Sequence, residues 1–328
     1  MGEVVARAVK WGILSTANIN RKVIPAAQAS PKIDLVAVAS RDQARADDYA
    51  KTWGIARAYG SYEALLRDPD VEAVYISLPN ALHCEWSIKA LDAGKHVLCE
   101  KPLSRRTSEV EAAFDAAERT GRILSEAFMY RHNPQTKRAK QLVDEGAIGE
   151  LRLIRSTFSY PLYDEANIRL STALDGGALM DIGCYAVSGS RLFGGEPERA
   201  FGEAWFGPSG TDWVFTGVLR FAGNVTGVFD CGTAMPDRDE LEVIGSEGSL
   251  FLDDPWHCVA PSIEVRRAGG LERIELPPVS SYTLELENVS DAIRGEGELL
   301  LGREDAIGQA RVLEALHRSA TTHDAIAL

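Results

Sequence analysis

No apolar run in this sequence approaches the roughly 20 residues that a membrane-spanning helix needs, although hydrophobic residues make up 45% of the chain. Basic charge is in deficit: 35 Lys and Arg stand against 48 Asp and Glu, a net charge of −13. A chain of that balance is a poor nucleic-acid binder, because neutralising phosphates takes a dense basic surface. Any anion it holds must be met by a local arrangement. Paired cysteines are missing as well. Cys84, Cys99, Cys184, Cys231 and Cys258 are odd in number and scattered, with no Cys-x-x-Cys spacing, as suits a reducing cytoplasm. His83-Cys84 and His257-Cys258 have no further ligands at metal-site spacing, so both read as core or surface residues and no metal is expected. The opening "MGEVVARAVKWGIL" has an early glutamate and runs into a strand, so no signal peptide is expected. Ala6 stands where myristoylation at Gly2 requires Ser or Thr. Repeats and low-complexity segments are also absent.

What is present is an alternation, in a chain whose 328 residues suffice for about two domains. "RAVKWGIL" (7–14), "IDLVAVAS" (33–40), "VEAVYISL" (71–78) and "KHVLCE" (95–100) read as strands, and "RILSEAF" (122–128) as the last strand of the same sheet. Their near-continuous apolar character is that of strands covered on both faces. Helical stretches lie between them: 20–29 despite Pro25, 41–54 ended by Gly54, 83–94 stopped by Gly94, and 108–121. This predicts an α/β domain over 1–128 with a parallel, doubly wound sheet of the Rossmann type. After a helix at about 134–145, strand-like segments at 151–160, 213–221, 225–232, 240–245, 249–254 and 262–268 follow, most joined by Gly-, Asp- or Pro-containing turns. They predict an α/β domain over 129–328 with a large, mostly antiparallel sheet. Helices at "LENVSDAIRG" and "REDAIGQARVLEALHRSA" close the chain, and the last is expected to pack back on the first domain.

The first strand ends in "GILSTANIN" (12–20). A dinucleotide-binding fold keeps three glycines at this turn, for tightness, for close approach to the pyrophosphate and for strand–helix packing. Here Ser15, Ala17 and Asn20 occupy those positions. Ser15 offers a hydroxyl, Ala17 adds only a methyl, and Asn20 is the awkward one, since the third position packs on the sheet. The helix N-terminus still offers N–H groups and partial positive charge, so Ser15, Thr16, Ala17, Asn18 and Ile19 are candidate phosphate contacts. The second strand ends in Ser40-Arg41, a hydroxyl and a guanidinium that suit a 2′-phosphate, where an acid would select NAD. A solvated Arg opening a helix is the alternative, but Arg is poorly placed at a helix N-terminus. NADP is therefore expected over NAD.

Glu100-Lys101-Pro102 falls at the carboxyl end of a parallel strand, where open α/β sheets bind ligands. Pro102, in a cis bond or a trans one, pins Lys101 toward the crevice. In "GGALMDIGCY" (176–185) a glycine loop enters a helix on which Asp181 and Tyr185 are four apart and face one way. Hydride transfer at a carbon–oxygen centre needs a proton relay on oxygen and a positive charge where alkoxide develops. Tyr185 can relay, the more easily with an ammonium close by, and Lys101 can polarise. Asp181 can bind a substrate hydroxyl or hold Lys101. Taken singly, these are equally a core tyrosine, a surface lysine and a capping aspartate. Leu78, Pro79, Asn80 and His83 stand at or after the end of the 71–78 strand, near the expected nicotinamide, unless Asn80 merely caps the next helix. In "EAFMYRHNPQ", Glu126 and Arg131 are candidates for ribose or sugar hydroxyls and Tyr130 for stacking on a pyranose, unless the segment is only a hinge. Tyr160 and Arg169 are placed on the substrate side, and specificity is expected in the 160–175 loop.

"WGILSTANI", "PNALH", "AGKHVLCEKPL", "EAFMYRHNPQ", "GGALMDIGCY" and "GSEGSL" together resemble the glucose–fructose oxidoreductase / inositol dehydrogenase (Gfo/Idh/MocA) family over nearly the whole chain. The resemblance implies a Rossmann domain followed by an α/β domain whose sheet often dimerises, and it places the family's catalytic lysine on Lys101. Tyr185 replaces the usual histidine of Asp-x-x-x-His. That change resembles the branch of NADP-dependent D-xylose and dihydrodiol dehydrogenases and some sugar 3-ketoreductases. The expectation is a cytoplasmic, homo-oligomeric (dimeric or tetrameric) NADP-dependent dehydrogenase acting on an aldopyranose of the D-xylose or D-glucose type. A ketosugar reductase, a dihydrodiol dehydrogenase and a non-catalytic NADP sensor are the rivals. The sensor is opposed by Lys101 and Tyr185 and by the lack of a DNA-binding helix-turn-helix.

Overall fold

The computed structural model describes residues 7–162, 164 and 166–328. The readings at Gly2 and Ala6, and positions 163 and 165 of the 160–175 loop, lie outside the described residues. The chain forms two compact units. The first takes the described residues through Ser104 with Ser108–Met129 and Tyr282–Ala306, and the second takes Arg105–Thr107, Tyr130–Ser281 and Ile307–Leu328.

The first unit alternates strand and helix: β1 (Val9–Leu14), α1 (Asn20–Gln28), β2 (Ile33–Ala39), α2 (Gln43–Trp53), β3 (Arg57–Tyr59), α3 (Tyr62–Leu66), β4 (Ala73–Ile76), α4 (His83–Asp92), β5 (His96–Glu100), α5 (Thr107–Thr120) and β6 (Leu124–Ala127). All six strands are parallel, in the order β3-β2-β1-β4-β5-β6. The doubly wound sheet is as the alternation predicts. Every residue of β4 is buried, as helices on both faces require. Asp42 caps α2 by accepting the Arg45 N–H at 2.8 Å, and Gly54 ends that helix in the left-handed region at φ 67°. β3 and α3, with three and five residues, carry no pattern long enough to read.

The core of this unit gathers Trp11, Ile13, Ile24, Val38, Tyr75 and Leu98 with Leu286 and Val289. Leu286 and Val289 lie on α8 (Ser281–Arg294), and Trp11 Nε1 donates to Ser290 Oγ at 3.2 Å. Full burial of one such aliphatic side chain is worth about 1.5–3 kcal/mol, which explains why this helix joins the first unit. The last helix, α9 (Arg303–Thr322), was expected to pack back there, yet from Ile307 onward it belongs to the second unit.

In the second unit come α6 (Pro134–Asp144), β7 (Leu151–Pro161), α7 (Cys184–Gly194), then β8 (Arg199–Phe206), β9 (Asp212–Arg220), β10 (Thr226–Gly232), β11 (Ala234–Gly245), β12 (Gly248–Asp253), β13 (Ser262–Arg267), β14 (Gly270–Glu275) and, near the end of the chain, β15 (Ile326–Ala327). The nine strands run β14-β13-β12-β11-β7-β10-β9-β8-β15. Pairing is antiparallel except between β7 and β10. α7 packs on β7 and β10. All five cysteines are buried. Among the described residues no helix is long and apolar enough to cross a membrane.

Candidate functional site

In the first unit the parallel register sets the carboxyl ends of β1, β2, β4 and β5 along one edge, and each end carries candidate residues. At the end of β1, Ser15 adopts φ 116°, a region that favours glycine. Its hydroxyl does not reach outward for a phosphate as expected. It bonds to the Ser77 carbonyl and hydroxyl, both at 2.9 Å, and accepts the Ala17 N–H at 3.2 Å. Asn20, fully buried, donates from Nδ2 to the Ser15 carbonyl at 2.9 Å and accepts the Ser77 hydroxyl at 2.8 Å. The residue that looked awkward is the one that stitches the turn. The N–H groups of Thr16, Asn18 and Ile19 meet no acceptor among the described residues, so the anion-binding capacity of a helix N-terminus is intact without glycine.

At the end of β2, Arg41 is exposed and Ser40 is buried, its hydroxyl accepting the Asp42 N–H at 3.4 Å. Asp42 is the N-cap of α2, so Arg41 precedes the helix and does not open it. After β4, Leu78 is buried and Pro79 leads into a 3-10 turn, Asn80–Leu82. α4 takes Leu82 as its N-cap, and that residue makes no side-chain cap bond. His83 is fully buried, with Nδ1 2.8 Å from the Pro102 carbonyl and Nε2 2.7 Å from the Leu78 carbonyl. Burial pushes its pKa below the ordinary value, against the upward pull of those two carbonyls. With a carbonyl facing each ring nitrogen and a neutral imidazole donating to one of them, His83 lies between two strand ends and ties them together.

That tie belongs to a clamp on Lys101. The Lys101–Pro102 bond is cis. The Lys101 N–H donates to Glu100 Oε2 at 3.2 Å, and Tyr75 donates from its hydroxyl to Glu100 Oε1. The Leu103 N–H donates to Glu126 Oε1 at 2.8 Å. Glu126, expected to meet ribose or sugar hydroxyls, is buried at 2% exposure beneath this segment. Tyr75 is the contributor that sequence could not single out, because it sits inside a strand that reads as pure core.

In the second unit, Asp181 accepts from the Tyr160 hydroxyl at 2.5 Å and from Arg169 Nε at 3.2 Å. Burial first, and then the Asp181 charge, hold the Tyr160 phenol far above its ordinary pKa, so Tyr160 stays a donor. Asp181 lies in a π-helical turn, Leu179–Gly183, and not on the α-helix that the four-residue spacing suggested; Tyr185 is in the first turn of α7. Buried Asp212 shapes the π turn by accepting the Leu179 N–H at 2.6 Å. Gly177 makes this possible: it has φ +120°, and a Cβ there would lie 2.0 Å from Asp212 Oδ1. The Tyr185 ring packs against Phe158, Tyr130 and Trp256 at 5.5, 5.8 and 6.0 Å. Tyr130, expected to stack on a sugar, is 1% exposed and donates to Ser188 Oγ at 2.8 Å. It is core. Arg131 Nη1 lies 3.5 Å from the same hydroxyl.

Residues 9–128 match an oxidoreductase family with an NAD-binding Rossmann fold, and residues 136–251 match the GFO/IDH/MocA C-terminal domain. The chain belongs to the Gfo/Idh/MocA family of oxidoreductases. It is 40% identical over 324 residues to D-xylose 1-dehydrogenase (NADP(+)) 2 of Haloferax volcanii, covering 97% of this chain and 99% of the relative. It is similar to the crystal structure of a 3-ketoreductase from Actinomadura kijaniata in complex with NADP and TDP-benzene, with TM-score 0.89, 31% identity and coverage of 95% and 98%. An aldose–aldose oxidoreductase from Caulobacter crescentus, complexed with glycerol, superposes with TM-score 0.92 at 27% identity, covering 98% of this chain and 100% of the other.

A dinucleotide fits the Rossmann unit of this family member. Thr16, Asn18 and Ile19 would offer backbone donors to its pyrophosphate, and Ser40 and Arg41, at the end of β2, would stand where such folds meet the adenosine ribose. When bound, it supplies the hydride acceptor or donor.

Proposed function

We propose that this chain is an NADP-dependent oxidoreductase acting on a hydroxyl or keto carbon of a small sugar, an aldopyranose of the D-xylose or D-glucose type. The observation that carries the reading is Lys101, placed at the carboxyl end of β5 with its backbone clamped on both sides by Glu100, His83 and Glu126. Lys101 holds positive charge against the substrate oxygen, where alkoxide develops. Tyr185 passes the proton to or from that oxygen. Asp181, oriented by Tyr160 and Arg169, accepts from a neighbouring hydroxyl. Arg41 favours the 2′-phosphate of NADP, in keeping with the Haloferax relative's NADP.

A second reading, reduction of a ketosugar, draws support from the likeness to the Actinomadura 3-ketoreductase. The net charge of −13 weighs against a nucleotide-linked substrate. The test is reduction of NADP⁺ and of NAD⁺, followed optically, with D-xylose, D-glucose, inositol and a trans-dihydrodiol supplied separately. Turnover on an aldose with NADP⁺ is the expected result. Inertness toward all four, with NADPH still bound, contradicts the dehydrogenase reading and leaves the ketosugar reductase.

A further inference from the structure

Arg105 and Arg106 stand in no motif of the sequence, yet the fold gives them a shared task. Arg105–Thr107 belongs to the second unit, although Ser104 before it and Ser108 after it belong to the first. In the second unit both arginines converge on Asp175. Arg106 grips it with two bonds, Nη1 to Oδ2 at 2.8 Å and Nη2 to Oδ1 at 3.1 Å, and Arg105 Nη2 stands 3.2 Å from Oδ1. The segment that carries them is itself anchored. The Thr107 N–H and hydroxyl donate to Glu314 Oε2 of α9 at 3.2 and 2.6 Å. A forked guanidinium–carboxylate pair fixes direction as well as distance, so Asp175 is held in one place.

Asp175 is buried at 5% exposure and adopts φ 53°. Glycine serves that left-handed backbone best, so the reason for an aspartate lies in its carboxylate. What the carboxylate holds is a closed turn. Asp175 ends the 3-10 turn Thr172–Leu174, with its N–H on the Thr172 carbonyl at 3.2 Å. The next two N–H groups fold back, Gly176 onto the Ser171 carbonyl at 2.9 Å and Gly177 onto the Arg169 carbonyl at 2.8 Å. The closure is tight: a Cβ on Gly176 would lie 2.4 Å from the Arg169 carbonyl oxygen. The turn thus carries Arg169 as one piece with Asp175. From it Arg169 Nε reaches Asp181 Oδ1 at 3.2 Å, and the Asp181 N–H donates to the Gly177 carbonyl at 2.9 Å. A continuous run of bonds therefore leads from the clamp to the carboxylate assigned to a substrate hydroxyl.

We propose that Asp175, clamped by Arg105 and Arg106, is a positioning residue for the sugar: it sets the turn that carries Arg169 and so aims the Asp181 carboxylate at a substrate hydroxyl. This rests on the sugar reading above and deepens it. The test is steady-state kinetics of the holoenzyme with the aldose the wild type prefers, alongside NADPH binding by fluorescence. Where turnover is too low for a KM, sugar affinity is read by calorimetry on the NADPH complex. Asp175→Asn keeps the shape of the side chain and removes its charge. It is expected to weaken sugar affinity about tenfold, to leave kcat within about threefold, and to leave NADPH affinity unchanged. In an Asp181→Asn background the same substitution should change sugar affinity less than about twofold, because one residue acting through another is not additive with it. Arg106→Lys keeps the charge and loses the fork; it should weaken sugar affinity several-fold, and it replaces Asp175→Asn if that variant does not fold. Sugar affinity that survives Asp175→Asn overturns the inference and leaves the sugar reading standing. So does a loss that persists at full size in the Asp181→Asn background, the mark of a tie that only supports the fold. A wild type inert on every sugar overturns the sugar reading and this inference with it.

Discussion

Asn20 shows at the scale of one residue how a phosphate-binding turn works without its glycines. Ser15 sits at φ 116°, a strain on the order of 1–3 kcal/mol for a residue with a Cβ. Its hydroxyl and carbonyl are both bonded into the Ser77–Asn20 network, and buried hydrogen bonds each contribute about 1 kcal/mol. Asn20→Ala removes two of these bonds and leaves the Ser15 carbonyl without its Asn20 partner. The expected outcome is a stability loss of about 2–3 kcal/mol in urea unfolding, with the slope unchanged, and a several-fold weaker NADPH affinity. A loss under about 0.5 kcal/mol would contradict the network's role. Sequence marked Asn20 as a problem but could not solve it, because the partner Ser77 lies on another strand end, 57 positions away. Tyr130 misled for the same reason. It has a polar atom suited to a ligand, and only the fold reveals that Ser188 already takes it.

Among the elements, strands buried on both faces were legible because their apolar runs are continuous. β8 was not. Its inward positions are the small residues Ala200, Gly202 and Ala204, while Phe201 and Trp205 point outward. A Cβ at Gly202 would lie 2.6 Å from the Phe215 ring, which fills that space from β9. Size therefore inverts the usual alternation of apolar-in and polar-out. The π turn was equally hidden, since it depends on Asp212, remote from it in sequence. Burial raises the Asp212 pKa to about 7 from the ordinary 3.8. The folded state thus holds the proton more tightly than the unfolded one. The stability this confers is complete below pH 3.8 and is lost as pH rises through about 7. Asp212→Asn keeps an oxygen for the Leu179 N–H and cannot ionise. Urea unfolding between pH 4.5 and 8 should show the variant gaining on the wild type as pH rises, by on the order of 2–4 kcal/mol. Parallel curves would show that Asp212 is not held protonated.

Across the whole molecule, both sheets were foreseen from periodicity, and so was the place of Lys101 directly after a parallel strand. The return of Tyr282–Ala306 to the Rossmann unit was not, because an amphipathic helix does not declare which core its apolar face will enter. Arg41 and Lys101 lie in the first unit, Asp181 and Tyr185 in the second. The central claim is that Lys101 stabilises charge in the reaction and takes no main part in holding the dinucleotide. The most direct measurement is therefore kcat on the preferred sugar together with NADPH affinity, for wild type and Lys101→Met side by side. The account predicts a fall in kcat of about 10³-fold or more, with NADPH affinity changed less than about threefold. Turnover that survives the substitution would contradict it, and so would a loss of activity matched by an equal loss of NADPH binding.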